Sequence, residues 1–406
     1  VSPEVLIIGA GAAGLAAAAD LSRRGVSCLV VDKKPFPGGH ATDLPCKATT
    51  SCARCNACLL EETMTGLAPT RTVTLKTGAV LTGLRKQDEL FEVDLSWEPV
   101  YLDQDKCLDC GLCYQVCPAR DRAIRRAPTA SWGPQYALFG EDCLFLKGED
   151  CRACHGLCPV DALDFSARAG RETVTVQAVV MAGGYTPFDP RLKPRYGYGK
   201  VPNVISALEL DQSLRFGGHI NRPSDGKIPS RVAFVQCVGS RDKSLGRDYC
   251  SRICCGYALR MAWLIRHRWP ETAISFFYMD VQTTGRDFEA YYQETGRHIE
   301  LIHGVPGEIT AGPDGLVQVP FVGDRTGLKE TRDFDLVVLS VGLGPPDQAV
   351  VQLLGLENDE DGFPVGRPDE GLFLAGAASG PMSVAESITF ARGAAEKVSA
   401  YLKNRT

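Results

Sequence analysis

The hydrophobic pattern opens on a continuous apolar run, Val5-Leu6-Ile7-Ile8, the mark of a strand buried on both faces. Gly9-Ala10-Gly11-Ala12-Ala13-Gly14 follows at once, then the helix formers Leu15 to Ala19, then a second apolar run, Cys28 to Val31, ending on Asp32. Strand, glycine turn, helix, strand and acid in that order predict a dinucleotide-binding βαβ unit. Gly9 permits the tight turn, Gly11 lets the backbone approach a pyrophosphate, and Gly14 lets the helix pack on the sheet, with Ala13 beside it. The helix N-terminus then offers N–H groups and a positive dipole end to the phosphates. Asp32 stands where a carboxylate accepts from ribose hydroxyls, and Lys33 is expected on the adenosine phosphate side or in water.

Gly38-Gly39 closely follows the second strand, as in flavoproteins with two nucleotide domains. Ala178 to Gly184 resembles that family's second glycine turn, with Ala182 and Gly183 as cofactor contacts. Leu372 to Gly376, with a helix from about Ser383, resembles its C-terminal strand and helix, whose N-terminus could face the flavin ring. FAD is the expected cofactor, with His40 and Leu81 added to its lining. Val232 to Gln236 reads as the first strand of a second dinucleotide-type unit. Cys237-Val238-Gly239-Ser240-Arg241-Asp242 replaces the glycine turn there, so NAD(P)H binding is not expected in that unit.

Composition narrows the class. At 406 residues, with 44% hydrophobic and 23% charged, the chain is globular and long enough for two or three domains. No apolar run reaches the roughly 18 residues of a membrane span. Val5 to Ala19 is not expected to be a signal peptide, because no basic residue precedes it and glycines interrupt it. A net charge of -5 with interspersed signs argues against a nucleic-acid surface.

The 17 cysteines decide the chemistry, falling into four groups of four with Cys28 left over as a small buried apolar residue in the second strand. Cys107-x2-Cys110-x2-Cys113-x3-Cys117-Pro118 is the bacterial ferredoxin spacing, and Cys143-x7-Cys151-x2-Cys154-x3-Cys158-Pro159 repeats its ending. The crossed pattern predicts one 4Fe–4S cluster on Cys107, Cys110, Cys113 and Cys158, and a second on Cys143, Cys151, Cys154 and Cys117. Zinc is disfavoured, since zinc ribbons use two CxxC knuckles. The segment from Arg120 to Asp142 is too long for a ferredoxin hairpin and is expected as a surface excursion, either a docking surface or a solvated loop. Cys46, Cys52, Cys55 and Cys58 follow Gly39 closely, as a third cluster or as a redox dithiol beside the flavin; four cysteines favour the cluster. Cys237, Cys250, Cys254 and Cys255 are read as a fourth.

Gly226 to Pro229, Val235 to Asp242 and Tyr249 to Cys255 carry a resemblance to the A subunit of heterodisulfide reductase and its shorter homologues, over nearly the whole chain. The Cys-x12-Cys-x3-Cys-Cys spacing is that family's 4Fe–4S motif beside the FAD. Within it, the chain looks most like the A subunit of the quinone-interacting membrane-bound oxidoreductase. The run from Cys46 to Cys58 departs from that protein by its extra cysteines. The resemblance implies a flavin-based electron hub, an oxidoreductase component of an anaerobic complex, with bifurcation of electrons or its reverse as a further expectation. Its partners would be iron–sulfur subunits like the B and C subunits of heterodisulfide reductase, or iron–sulfur and membrane subunits of the quinone-interacting kind. Such a chain is expected in the cytoplasm, held at the inner membrane face through its partners. The rival reading is a flavoprotein thiol–disulfide oxidoreductase working through Cys46 to Cys58.

The expected fold is α/β: a two-dinucleotide-binding-domain flavoprotein, thioredoxin-reductase-like, with an inserted α+β ferredoxin module of the bacterial two-cluster type. The flavin domain is expected over 1–97, 169–225 and 336–406, the ferredoxin module over 98–168, and the second dinucleotide-type domain over 226–335.

Overall fold

A computed structural model describes residues 3–68, 70–128, 132–282, 285, 287–324 and 326–405. Its helices are α1 (Ala12–Arg23), α2 (Leu59–Leu67), α3 (Leu112–Val116), α4 (Ala207–Gln212), α5 (Cys254–Arg268), α6 (Phe288–Gly296), α7 (Gln348–Leu353) and α8 (Val384–Lys403). Among the described residues no helix is long and apolar enough to cross a membrane.

The first sheet is parallel, in the order Leu372–Leu374, Ala178–Met181, Val5–Ile8, Cys28–Asp32, Val73–Thr77. Val5–Ile8 is central because it is apolar at every position, pairing Val5 with Cys28 on one side and Ala178 on the other. One face is covered by α1, α2 and α8, whose small residues Ala13, Ala17, Ala391 and Ala395 allow close approach. Buried Leu15 and Leu21 anchor α1, each contributing about 1.5–3 kcal/mol. The other face packs on a three-stranded antiparallel sheet, Ala79–Gln87, Leu90–Trp97 and Gly170–Val176. The ferredoxin-type segment leaves and re-enters the chain between the last two of these strands.

The second sheet is also parallel, in the order Val204–Ser206, Leu336–Val341, Arg231–Val238, Ala273–Tyr278, Glu300–His303. Its extent departs from the sequence boundaries at 225 and 335. Val204–Ser206 and Leu336–Val341 belong to this sheet and not to the flavin domain, because Leu336–Val341 pairs with Val204–Ser206 on one edge and Arg231–Val238 on the other. The pairing that places these strands is long-range.

The segment from Arg120 to Asp142 also departs from expectation. Ile124–Arg126 and Tyr136–Leu138 form an antiparallel hairpin, and Trp132 packs half-buried against the first core. A Cβ on Gly133 would lie 3.0 Å from the Pro37 ring, and Arg215 donates to the Pro128 carbonyl at 3.2 Å. The described part of the excursion therefore straps the ferredoxin-type module to the nucleotide domain instead of standing free in solvent; residues 129–131 lie outside the described residues.

Candidate functional site

The expected nucleotide contacts gather at the carboxyl end of the first sheet. Gly9 has φ +109°, and a Cβ there would lie 2.4 Å from the Ala182 carbonyl oxygen. A Cβ on Gly14 would lie 1.8 Å from the Gly9 carbonyl oxygen, so glycine is what closes helix onto turn. Gly11 caps α1 with no side-chain hydrogen bond to the first-turn N–H groups. Space above Gly11 is bounded by the Gly39 Cα, 3.9 Å from where a Cβ would stand. Gly38 N–H donates to the Ala10 carbonyl at 2.7 Å, laying Gly38-Gly39 across the glycine turn. Gly376, φ +66°, brings the C-terminal turn against Ala13, where a Cβ would meet the Ala13 Cβ at 2.3 Å. These backbone-lined approaches and the unsatisfied helix N-terminus fit a phosphate-bearing cofactor.

Asp32 does more than the sequence suggests. Its Oδ2 accepts from Ala10 N–H at 2.6 Å and its Oδ1 from Lys34 N–H at 2.8 Å, locking the strand end to the glycine turn. Burial raises its pKa, and those two N–H bonds oppose the rise. Each oxygen keeps a second lone pair for a ribose hydroxyl. Lys33 instead faces solvent in an ion pair with Asp347 at 3.0 Å. Leu81 is buried in the core between the first and the antiparallel sheets. Gly183 follows Ala182 past the strand end, and Ser383 caps α8 in a capping box with Glu386.

His40 stacks on Tyr185, centroids 4.8 Å apart. Burial lowers the His40 pKa, and Lys34 adds to the fall. Burial pushes the Tyr185 phenol up. Sequence reasoning missed Tyr185; its place next to Gly183-Gly184 is the one local hint.

The electrostatic neighbours of the ferredoxin cysteines run from one motif to the other. Burial raises the Cys113 thiol, and Cys107, Cys110 and Cys158 add to it. Burial likewise raises Cys117, with Cys143 and Cys151 acting on it, and lifts Cys154 to about 11, with Cys143 and Cys117 next. Cys117, Cys143, Cys151 and Cys154 also line one small cavity with Ile124, Leu138 and Phe145. The last cysteine of each motif thus lies near the first three of the other.

The remaining groups show the same local device as the first ferredoxin loop. Arg54, Asp109 and Arg252 all have positive φ (50°, 53° and 60°), and each donates its N–H to the sulfur two residues earlier, Cys52, Cys107 and Cys250, at 3.3–3.4 Å. Left-handed backbone is uncommon for such residues, and N–H···S bonds are how proteins stabilise cluster thiolates. Burial raises Cys58, followed by Glu62, Cys55 and Cys52. Cys46 is exposed, as are Cys52 and Cys58. Cys237 has φ +58° at a bulge in its strand, and burial lifts Cys255 to about 11, with Cys237 and Cys250 contributing. Cys254 is fully enclosed, its thiol raised by burial and then by Cys255, Cys237 and Cys250. Among the described residues no three His, Cys, Asp or Glu side chains converge as a single ion requires. Groups of four cysteines at CxxC-type spacing are the donor set that iron–sulfur clusters take. Cys28 is apart from all of them, its thiol pushed up to about 12 by burial.

The segment bearing Cys46 to Cys58 is pinned to the second domain by contacts the sequence does not announce. Lys47 pairs with Asp211 on α4 at 2.7 Å. On α5, Arg260 Nε donates to the Ala53 carbonyl at 2.7 Å and Trp263 Nε1 to Thr49 Oγ1 at 3.1 Å. Arg54 pairs with Asp287 beside α6.

Comparison with known proteins agrees with this fold. Residues 7–47 match the family described as NAD(P)-binding Rossmann-like domain, and residues 98–119 match the 4Fe-4S binding domain. The A subunit of the H(2):CoB-CoM heterodisulfide,ferredoxin reductase of Methanothermobacter thermautotrophicus is 33% identical over 98% of this chain and 63% of its own length. The iron-sulfur A subunit of the CoB--CoM heterodisulfide reductase of Methanocaldococcus jannaschii is 36% identical over 98% of this chain and 64% of its own. The chain spans less than two thirds of these relatives. Among solved structures, thioredoxin reductase of T. acidophilum matches with TM-score 0.54 at 15% identity, covering 99% of each chain. Bacillithiol disulfide reductase of Bacillus cereus matches with TM-score 0.51 at 15% identity, covering 100% of each. The chain has their fold, with a 4Fe–4S binding segment inserted.

Proposed function

We propose that the chain belongs to the heterodisulfide reductase A-like family, whose members it matches at 33–36% identity over 98% of its length, and that it is the flavin- and iron–sulfur-bearing electron-transfer component of a multisubunit redox complex. The resident groups are one FAD and four 4Fe–4S clusters. When bound, the flavin supplies exchange between electron pairs and single electrons, and the clusters carry single electrons. The chain's own residues do the rest. Gly9, Gly11, Ala13, Gly14, Gly38, Gly39 and Gly376 shape the flavin's phosphate channel, Asp32 holds the turn and meets the ribose, and Ala182, Gly183, His40 and the Ser383 helix end face the ring side. Lys33 lies at the surface and Leu81 in the core between the two sheets. Cys107, Cys110, Cys113 and Cys158 hold one cluster, and Cys117, Cys143, Cys151 and Cys154 the next. Cys46, Cys52, Cys55 and Cys58 hold the third, and Cys237, Cys250, Cys254 and Cys255 the fourth.

The observation that carries this reading is the shared N–H···S arrangement at Cys52, Cys107 and Cys250, which gives the two unusual groups the loop of the ferredoxin one. It also weighs against a dithiol at Cys46 to Cys58. Partners are iron–sulfur subunits, joined by a quinone-linked membrane component in an assembly of the quinone-interacting kind. Bifurcation, or its reverse, is a property of that assembly.

Iron, zinc and flavin determination on anaerobically purified protein tests the proposal. About sixteen irons and one FAD are expected. About eight irons would remove both unusual clusters, and stoichiometric zinc would remove the scheme.

A further inference from the structure

The fourth cysteine group carries its own charge pair. Arg241, in the turn after Cys237, has left-handed backbone with φ +53°. Its N–H donates to the Tyr249 carbonyl at 3.0 Å, tying that turn to the residue before Cys250. Its guanidinium pairs with Asp280, just past the end of Ala273–Tyr278, with 32% and 47% of the two side chains exposed. Asp280 touches the same cysteine group through its backbone, because Cys255 Sγ lies 3.9 Å from its carbonyl oxygen. Gln282 Nε2 donates to Asp280 Oδ2 at 3.0 Å and steadies the carboxylate.

Both charges act on the thiols. Burial raises the Cys237 and Cys255 thiols; at Cys237 the Arg241 charge opposes the rise, whereas Asp280 adds to it at both. The other ion pair of this group is placed differently. Arg252 pairs with Glu386 at 2.9 Å, in the first turn of α8, and so ties the cysteine loop to the flavin domain.

Reduction of a 4Fe–4S cluster adds one electron and makes or breaks no ligand bond. A nearby cation therefore favours the reduced form and a nearby anion the oxidised one. Water and salt screen the more exposed charge more strongly, so Arg241 outweighs Asp280. We infer that Arg241 and Asp280 together set the potential of the cluster on Cys237, Cys250, Cys254 and Cys255, Arg241 raising it and Asp280 holding it down. Both act as fixed charges, with no change of protonation. The inference rests on the fourth cluster of the reading above.

Dithionite titration of the fully flavin- and iron-loaded protein, followed by electron paramagnetic resonance, tests it; the signal lost in Cys250→Ala marks the fourth cluster. Arg241→Gln is expected to lower the reduction equilibrium constant of that cluster about tenfold, or about 59 mV for one electron. Arg241→Lys keeps the charge and should recover most of the shift. Asp280→Asn should raise the constant, and the double variant should fall between the single ones. Iron and flavin contents should match the parent in all four. Should Arg241→Gln lose iron, Asp280→Asn decides alone. An unchanged potential in Arg241→Gln, a downward shift in Asp280→Asn, or a shift in Arg241→Lys as large as in Arg241→Gln would each overturn the inference while the fourth cluster stands. A Cys250→Ala variant that keeps every iron and every signal would instead remove the cluster, and the inference with it.

Discussion

Lys47 Nζ lies 2.7 Å from Asp211 Oδ1, with 2% and 5% of the two side chains exposed. Burial alone raises the Asp211 pKa, and the neighbouring ammonium pulls it back. The pair bridges the residue after Cys46 to the second sheet's helix α4, so a cysteine loop and a distant domain share one buried contact. Removing one partner strands a buried charge at a cost of about 3–5 kcal/mol, whereas replacing both with apolar residues is often neutral. Lys47→Met is expected to lower the thermal midpoint strongly, and Lys47→Met with Asp211→Leu to regain most of the loss. Equal midpoints for the single and double variants would refute the account.

The crossed thiol sets make separable predictions. Cys158→Ser should weaken or remove the cluster shared with Cys107, Cys110 and Cys113, and leave the one around Cys154. Cys117→Ser should do the reverse. Iron should fall by up to about four per chain in each case, with different electron paramagnetic resonance features lost from the dithionite-reduced protein. If both variants lose the same feature, the ligand sets are not crossed.

Glycine at position 39 is required on two counts. It has φ +61°, and a Cβ would stand 3.1 Å from the Gly11 Cα. Left-handed backbone costs a non-glycine residue about 1–2 kcal/mol, and the Cβ also intrudes on the phosphate approach. Gly39→Ala is expected to lower flavin affinity by at least about tenfold, read by equilibrium dialysis, with iron content kept. Gly25→Ala serves as the control for backbone strain alone, because Gly25 is also left-handed (φ +80°) but nothing lies within 4 Å of a Cβ there; it should keep flavin affinity.

Burial, then Lys34, holds the folded pKa of His40 below its ordinary 6.5. Above pH 6.5 neither state binds the proton and His40 contributes no pH dependence. As pH falls below 6.5 the unfolded chain binds a proton that the folded chain does not, so stability drops until the folded pKa is passed. His40→Gln should therefore flatten the denaturation midpoint between pH 7 and the acid limb. An unchanged slope in the variant would show that His40 is not the group responsible.

Cys28 supplies the contrasting case. Its thiol is pushed to about 12 by burial, and its nearest polar contact is the Val26 carbonyl at 3.7 Å. Cys28→Ala should leave iron and flavin contents at the parent values and cost about 1 kcal/mol or less of stability. Loss of iron in this variant would contradict the assignment of the other sixteen thiols.

Local sequence determined much of this protein. The apolar run Val5–Ile8, the glycines that follow and Asp32 define a βαβ turn, because each residue acts on neighbours a few positions away. The CxxCxxCxxxCP spacing is equally local, since one loop must wrap one cluster. Long-range pairing decided what those patterns could not reach. It placed Val204–Ser206 and Leu336–Val341 in the second sheet, folded Trp132 onto the first core, and set Tyr185 against His40. It buried Lys47 against Asp211, 164 positions on, and set Arg241 against Asp280, 39 positions on. Such contacts are set by which surfaces meet once the sheets are built, and a lone lysine, arginine or tyrosine carries no periodic signal of the partner it will find.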